Sequence, residues 1–245
     1  IGVSIMISRG IIKTGLGARI VYLFIAVWGK KTLGIAYSLA LSELILAPIT
    51  PSNTARGGGI IHPIMRAIAG SYGSDPEQGT QGRMGRYLAL TNYHANPITS
   101  AMFITATAPN PLVVKLIADA TGAQISLSWG TWALAMLLPG LVALALMPYL
   151  IYLLHPPEIK STPNAMQFAR DKLKELGPIS RGELTMLGVF AVLLVLWAGI
   201  PAFFFGPGAA VDPTTTAFIG LSLCLITGVL TWEDVIKDKS AWDTI

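Results

Sequence analysis

Apolar segments as long as a lipid bilayer is thick constrain the fold of this chain more than any other feature. A helix that spans a bilayer needs about 20 largely apolar residues. Four segments reach or approach that length: 87–117, 129–154, 184–205 and 214–230. Only 12% of the 245 residues are charged, about half the fraction found in an ordinary soluble domain. The sequence therefore predicts an all-α integral membrane protein with several spans.

The distribution of Lys and Arg between the spans predicts their orientation. The connection 155–183 carries five such residues, and the stretch 71–86 and the tail after Trp232 carry two each, whereas the connections 120–128 and 206–213 carry none. Basic loops stay on the cytoplasmic side of a membrane. The first three segments are therefore predicted to lie inside and the last two outside.

Residues 32–70 are predicted to form a re-entrant hairpin on the cytoplasmic side. Two apolar arms, 33–49 and 60–68, flank the polar, Gly-rich stretch 50–59, and neither arm is long enough to cross alone. Irregular backbone at membrane depth is tolerated only where it is buried in protein or lines a water-filled cavity. Interrupted apolar segments are also the usual pointer to the binding site of a transporter. The tip of the hairpin is therefore a candidate binding site.

The tip carries Ser52, Asn53 and Thr54 at the start of a half-helix. Hydroxyl and amide groups, free backbone N–H groups and the positive end of the helix dipole together suit a carboxylate. The alternative is an ordinary helix cap. Arg56 follows closely and is predicted to pair either with a substrate carboxylate or with Glu43.

A second polar region interrupts the span 87–117. Prolines 97, 109 and 111 remove backbone donors, so this helix is predicted to break near Thr105, Thr107 and Asn110, beside the hairpin. The alternative is a proline-rich outer end of an ordinary span. His62 and His94 are predicted to form local hydrogen bonds, with a proton relay as the alternative role.

Several classes of function find no support in the sequence. Cys224 is the only cysteine, no His/Glu spacing is typical of a zinc site, and no Walker or GxGxxG loop is present. No cofactor or metal is therefore predicted, nor an ATP-driven pump. The basic residues are scattered between apolar segments, which argues against nucleic-acid binding. An integral-membrane enzyme would need a catalytic constellation, which we do not find; a purely structural membrane subunit remains as an alternative.

The polar motifs resemble those of the divalent anion/sodium symporter family. The match begins with SLALSEL (38–44) and APITPSNTAR (47–56), and continues with NPITSAMF (96–103), PPEIK (156–160) and TWEDV (231–235). Within the family, the chain is similar to the bacterial citrate/succinate and tartrate/succinate antiporters and to the plastid 2-oxoglutarate/malate translocators.

The resemblance implies a homodimeric transporter with two inverted repeats, each of which carries one hairpin. Residues 1–154 correspond to the first repeat. It begins with the end of a span (1–12) and an interfacial helix (17–31). The alternative for 17–31 is half of a kinked span. Residues 155–183 are the cytoplasmic connection, and 184–245 begin a truncated second repeat. The chain is thus expected to be a fragment that lacks the second hairpin.

The resemblance also implies site residues and a substrate. Ser52, Asn53 and Thr54 match the first tip and Thr107 the facing loop, in a carrier of malate, 2-oxoglutarate, succinate or citrate in a bacterial inner membrane or a plastid inner envelope. Sodium-coupled members have Ser where Pro48 stands and Gly where Ala106 stands. These departures favour exchange of dicarboxylates, with sodium-coupled symport as the alternative.

Overall fold

The computed structural model describes residues 2–50, 52–125 and 127–243, and within them the regular structure is helical apart from one isolated bridge between Lys31 and Ser161. The predicted all-α fold is confirmed. The α-helices, in chain order, are α1 Gly2–Thr14, α2 Leu16–Trp28, α3 Thr32–Leu46, α4 His62–Ser71, α5 Gly85–Met102, α6 Pro109–Ala120, α7 Trp129–Leu154, α8 Pro163–Leu176, α9 Arg181–Trp197, α10 Ile200–Phe205, α11 Pro213–Ile226, α12 Trp232–Ile236 and α13 Lys239–Trp242.

One helix of the described residues, α7, is long and apolar enough to cross a membrane by itself. Two bent pairs meet the same criterion when each is taken as one span: α1 with α2, bent by 58°, and α8 with α9, bent by 102°. The other three predicted spans are not continuous helices of that length. The segment 184–205 is divided at Gly199, whose φ of 71° is accessible to glycine without steric cost. The helix in the segment 214–230 is α11, which has 14 residues and ends at Ile226.

The apolar surface of these helices favours lipid as the surrounding solvent. Leu134, Leu138 and Leu154 on α7 are each more than 70% exposed, and so are Phe203 and Phe205 on α10. Large apolar side chains exposed in contiguous patches mark a surface that another apolar phase covers. The helices therefore present apolar faces outwards as well as inwards.

The predicted interfacial helix corresponds to α2. Gly15, with a φ of 79°, separates α2 from α1. The bend between these two helices also fits the alternative, in which α2 is half of a kinked span. Leu16, Val21 and Ile25 of α2 are buried, so this helix packs against protein along one face. The choice between the two alternatives stays a prediction.

The hairpin region consists of two helical arms around an irregular tip. The first arm is α3, whose 15 residues rise about 22 Å, less than the hydrocarbon thickness of about 30 Å. The second arm begins as a π-helix, Thr54–Ile61, and continues directly as α4. Gly57, Gly58 and Gly59 lie within the π-helix, a rare form that occurs frequently at functional sites. Pro51, which the sequence places just before the tip, lies outside the described residues.

The predicted break in the span 87–117 is present. Helix α5 runs through Pro97 and ends at Met102, a short 3₁₀ turn covers Ile104–Ala106, and α6 begins at Pro109. The Asn110 amide donates to the carbonyl oxygens of Ser100 (2.7 Å) and Phe103 (2.9 Å). Asn110 thus satisfies carbonyl groups that the end of α5 leaves without a helical donor.

The connections that were predicted to share a side of the membrane meet each other in the structure. The backbone N–H groups of Glu158 and Ile159 donate to the carbonyl oxygens of Gly82 and Arg83, and the N–H of Thr162 donates to that of Lys30. At another place, residues of both predicted outer connections, among them Ser128 and Val211, line one cavity. These contacts agree with the predicted alternation of inner and outer connections. Which of the two sets faces the cytoplasm remains a prediction.

We expect a cysteine at Gln124 or Gly208 to be labelled from outside intact cells, and one at Lys174 to be labelled only after permeabilisation. All three positions are exposed, and the contrast follows from the basic residues of 155–183. The measurement is reaction of single-cysteine variants of the full-length protein, in a Cys224→Ser background, with a membrane-impermeant maleimide. Labelling of Lys174→Cys alone in intact cells would overturn the topology.

Candidate functional site

The hairpin is fixed to the broken helix by a buried ion pair between Arg56 and Glu43. Arg56 Nε lies 2.5 Å from Glu43 Oε2, and both side chains have no exposed surface. The guanidinium also donates to the carbonyl oxygen of Thr50 (2.8 Å), to the hydroxyl of Ser100 (2.8 Å) and to the carbonyl oxygen of Ala106 (3.3 Å). Of the two partners predicted for Arg56, the structure thus shows Glu43, and it leaves the guanidinium with no surface to offer a ligand.

Glu43 is held from the side of α5 as well. The Asn96 amide lies 3.3 Å from both carboxylate oxygens and 3.0 Å from the carbonyl oxygen of Asn53, and the Thr99 hydroxyl lies 3.4 Å from Glu43 Oε2. A buried ion pair offsets its desolvation cost only when further hydrogen bonds complete it. We call Glu43, Arg56, Asn96, Thr99 and Ser100 the clamp, because together they join both arms of the hairpin to α5.

The clamp leaves part of the tip facing a cavity of about 690 Å³, which we call the tip cavity. Asn53 and Thr54 are exposed there. The Asn53 side-chain oxygen caps the π-helix by accepting from the N–H of Thr54. Among the described residues, neither Asn53 Nδ2 nor the Thr54 hydroxyl has a hydrogen-bond partner. Further residues that line the cavity are Gly57, Gly58, His62, Asn92, Tyr93 and Asn96.

One buried polar atom of the tip cavity is unsatisfied. Asn92 donates to the carbonyl oxygen of Gly57 (3.3 Å), but its own Oδ1 has no hydrogen-bond partner. A buried acceptor without a donor costs about 1–3 kcal/mol. Such a cost is tolerated where a site is completed by water, a ligand or a change of conformation.

Ser52 faces a different cavity from its two neighbours. Its hydroxyl accepts from the N–H of Ala55 (3.2 Å), which is the geometry of a helix cap. It lines a cavity of about 450 Å³ together with Arg9, Lys13 and Asp234. Lys13 and the backbone of Thr231 hold the pKa of Asp234 below its usual range through hydrogen bonds.

The residues of the broken helix also lie apart from the tip cavity. Thr105 and Thr107 line a third cavity, of about 500 Å³. The Thr105 hydroxyl donates to the carbonyl oxygen of Pro48 (2.5 Å) and accepts from Trp129 Nε1 (3.1 Å). In this chain the broken helix therefore contacts the hairpin through Asn96, Ser100 and Thr105, while Thr107 does not join Asn53 and Thr54.

The two histidines differ in their surroundings. His94 Nδ1 lies 2.8 Å from the carbonyl oxygen of Leu90, which is the local hydrogen bond that the sequence predicts. His62 is exposed and lines the tip cavity. Within the described part of the chain, no group of three His, Cys, Asp or Glu side chains is placed to hold a metal ion.

The sequence predicts a polar region of this span beside the hairpin, but it does not assign individual roles to Asn92, Asn96 and Thr99. Asn92, Asn96 and Thr99 are separated by four and three residues, which places them on one face of a helix. Polar residues with this spacing in an apolar segment indicate a buried polar contact. In the structure, Asn96 and Thr99 belong to the clamp, and Asn92 lines the tip cavity.

Comparisons with known proteins agree with the architecture. A family model described as the sodium:sulfate symporter transmembrane region matches residues 1–245. A Bacillus subtilis protein whose name proposes a malate transporter is 52% identical over 99% of this chain. Chloroplastic dicarboxylate transporter 1 of Arabidopsis thaliana is 41% identical over 100% of this chain, and the L-tartrate/succinate antiporter of Escherichia coli is 39% identical over 97%. The chain covers 49%, 42% and 47% of these relatives, less than half of each.

We expect Glu43→Gln to lower the stability of the full-length protein by about 3–5 kcal/mol, because it leaves the buried Arg56 charge without its partner. The double variant Glu43→Leu/Arg56→Met should recover much of that loss, since it removes both charges. The measurement is thermal unfolding in detergent.

The matched control for the clamp is Glu175→Gln, which removes an exposed ion pair with Lys172. Such a pair contributes at most about 1 kcal/mol. Equal and small effects of Glu43→Gln and Glu175→Gln would contradict the role of the clamp.

Proposed function

We infer the function from one premise: the chain belongs to the family of the sodium:sulfate symporter transmembrane region. It is a multi-pass integral membrane protein. We propose that it forms part of a transporter for dicarboxylates such as malate, 2-oxoglutarate or succinate, and for the tricarboxylate citrate. The observation that carries this proposal is the pair of unpartnered donors, Asn53 and Thr54, at the edge of the tip cavity.

The tip cavity has the chemistry that a carboxylate requires. Asn53 and Thr54 line it, and neither Asn53 Nδ2 nor the Thr54 hydroxyl has an acceptor among the described residues. The start of the π-helix adds the positive end of a helix dipole. No Asp or Glu is among the described residues that line the cavity. A carboxylate is therefore bound by dipoles and hydrogen bonds, which leaves it free to dissociate on the other side.

We propose that the tip binds one carboxylate group of the substrate. A dicarboxylate needs a second set of donors, and the family resemblance assigns these to a second hairpin in the other half of the full-length protein. Ser52 serves as the cap of the first tip. Thr105 supports the tip through its hydrogen bond to the carbonyl oxygen of Pro48, and Asn110 holds the end of α5. Thr107 lies apart from the tip in this chain and contacts substrate once the second half completes the site. The same resemblance supports a homodimer in a bacterial inner membrane or a plastid inner envelope.

The contacts of Arg56 favour exchange over sodium-coupled symport. A sodium ion is bound by oxygen ligands, and in this chain the carbonyl oxygens of Thr50 and Ala106 accept hydrogen bonds from the guanidinium. The carbonyl oxygen of Pro48 accepts from Thr105, and Pro48 has no side-chain oxygen. A guanidinium cannot leave the site with the substrate as a sodium ion does. Glu43 neutralises Arg56. The guanidinium therefore acts here by occupying carbonyl oxygens that could otherwise bind sodium, and not by binding the substrate.

Loss of the tip donors should impair transport without affecting insertion into the membrane. We expect Thr54→Val to raise the KM for dicarboxylate by about 10-fold or more, since a hydrogen bond to a charged group contributes about 1.5–3 kcal/mol. Thr54→Ser, which keeps the hydroxyl, is the matched control, and Asn53→Ala should behave like Thr54→Val. The measurement is exchange by the full-length protein in proteoliposomes; unchanged KM values in both loss variants would exclude the tip from the site.

Exchange and symport differ in their response to sodium and to internal substrate. If the full-length protein exchanges dicarboxylates, uptake of labelled malate requires unlabelled dicarboxylate inside the proteoliposomes. Because the carbonyl oxygens of Thr50 and Ala106 already bind Arg56, we expect this uptake not to require sodium. Replacement of sodium by potassium outside should leave the initial rate unchanged. Accumulation of malate in empty vesicles driven by a sodium gradient would establish symport instead.

A further inference from the structure

The tip cavity continues into a second cavity along the crevice between α4 and α5. The second cavity has a volume of about 370 Å³, and His62 and Ala89 line both cavities. Helices α4 and α5 pack against each other. The two cavities are therefore neighbouring sections of one groove, which we call the approach groove.

The sequence spacing places basic groups along this groove. Arg66 lies one turn after His62 on α4, and Arg86 lies one turn before Ala89 on α5, so each arginine is on the face of its helix that lines the groove. Both arginines line the second cavity. Arg66 lies about 6 Å beyond His62 along the axis of α4. Its charge is therefore close to an anion bound in the groove.

The two arginines of the groove have no ion-pair partner among the described residues. Arg66 and Arg86 are exposed, and within residues 2–50, 52–125 and 127–243 neither forms a salt bridge or donates a side-chain hydrogen bond. No described Asp or Glu lines either section of the groove. Arg83, only three residues before Arg86, instead lies near the carbonyl oxygens of Tyr72 and Gly73 and does not line the groove. The described lining of the groove therefore carries two unpaired positive charges and no acid, although Asp75 and Glu77 lie in the adjoining connection. Such a lining attracts anions to its walls.

The groove also runs in a defined direction. Arg86 is the second residue of α5 and the last residue of the connection 71–86. Arg66 lies in the last two turns of α4, which ends at Ser71, where this connection begins. This connection contacts the 155–183 connection through Gly82 and Arg83, and both were predicted to face the cytoplasm. The opposite end of the groove reaches Asn53 and Thr54.

We propose that Arg66 and Arg86 form an outer anion site that captures a dicarboxylate from the cytoplasmic side and delivers it along the groove to the tip. This inference rests on the proposed function and adds the path and the residues of substrate entry. Electrostatic capture raises the association rate and depends on ionic strength, whereas the tip donors determine the bound state. Continuity with the tip cavity favours a soluble dicarboxylate over a lipid headgroup as the occupant.

The test is exchange by the full-length protein in inside-out membrane vesicles, with Arg66→Gln, Arg86→Gln and the double variant. At low ionic strength we expect the double variant to raise the KM for malate at the cytoplasmic face by about tenfold with unchanged maximal rate, which is the size of effect that electrostatic steering gives. Added KCl should raise the KM of the wild type and leave that of the double variant nearly unchanged. At the opposite face, measured in right-side-out vesicles, the KM should not change.

Arg83→Gln is the matched control, since it removes a neighbouring exposed arginine from outside the groove. An unchanged KM in the double variant, or an equal loss at both faces, would overturn the outer site. A loss that occurs only in vesicles containing anionic phospholipid would also overturn it, because the arginines would then bind headgroups. Absence of malate exchange in the wild type contradicts the proposed function itself, so the two failures are distinguishable.

Discussion

The buried pair of Glu43 and Arg56 is the interaction on which the arrangement of this chain depends. A charge in the interior of a membrane protein requires a partner, and here the partners come from the two arms of one hairpin. Because α5 supplies Asn96, Thr99 and Ser100 to the same network, the hairpin and the broken helix cannot separate without exposing a charge. The irregular tip between them is consequently held in one place.

A fixed tip is useful only if some of its donors remain free. The side chains of the tip differ in their contacts. The Ser52 hydroxyl accepts from the N–H of Ala55, Arg56 is buried within the clamp, and Asn53 and Thr54 line the tip cavity. The unsatisfied Oδ1 of Asn92 in the wall of that cavity fits a site that is completed only during the transport cycle. The approach groove gives this site a path for anions. The hydrogen-bond donors of the tip lie at its inner end, and the charges of Arg66 and Arg86 lie at its outer end.

The sequence predicts the parts of the fold that follow from length and composition. Apolar segments predicted the all-α membrane architecture, Pro109 and its neighbours predicted the break after Met102, and the polar interruption predicted two arms around Asn53. The continuity of helices was not predictable from apolar length, because Gly199 divides α9 from α10 within one apolar segment. The directions of Ser52, Asn53 and Arg56 depend on cap and π-helix geometry, which residue types alone do not fix. The partner of Arg56 was one of two alternatives until tertiary contacts showed it.

The central claim is that the tip cavity receives the dicarboxylate, and protection of a thiol tests it most directly. A Cβ at Gly58 meets no atom within 4 Å, and the same holds for Gly70, which lies on the same arm but outside the cavity. In the full-length protein with Cys224→Ser, malate should slow the alkylation of Gly58→Cys and leave that of Gly70→Cys unchanged. Equal alkylation rates of Gly58→Cys with and without saturating dicarboxylate would contradict the account.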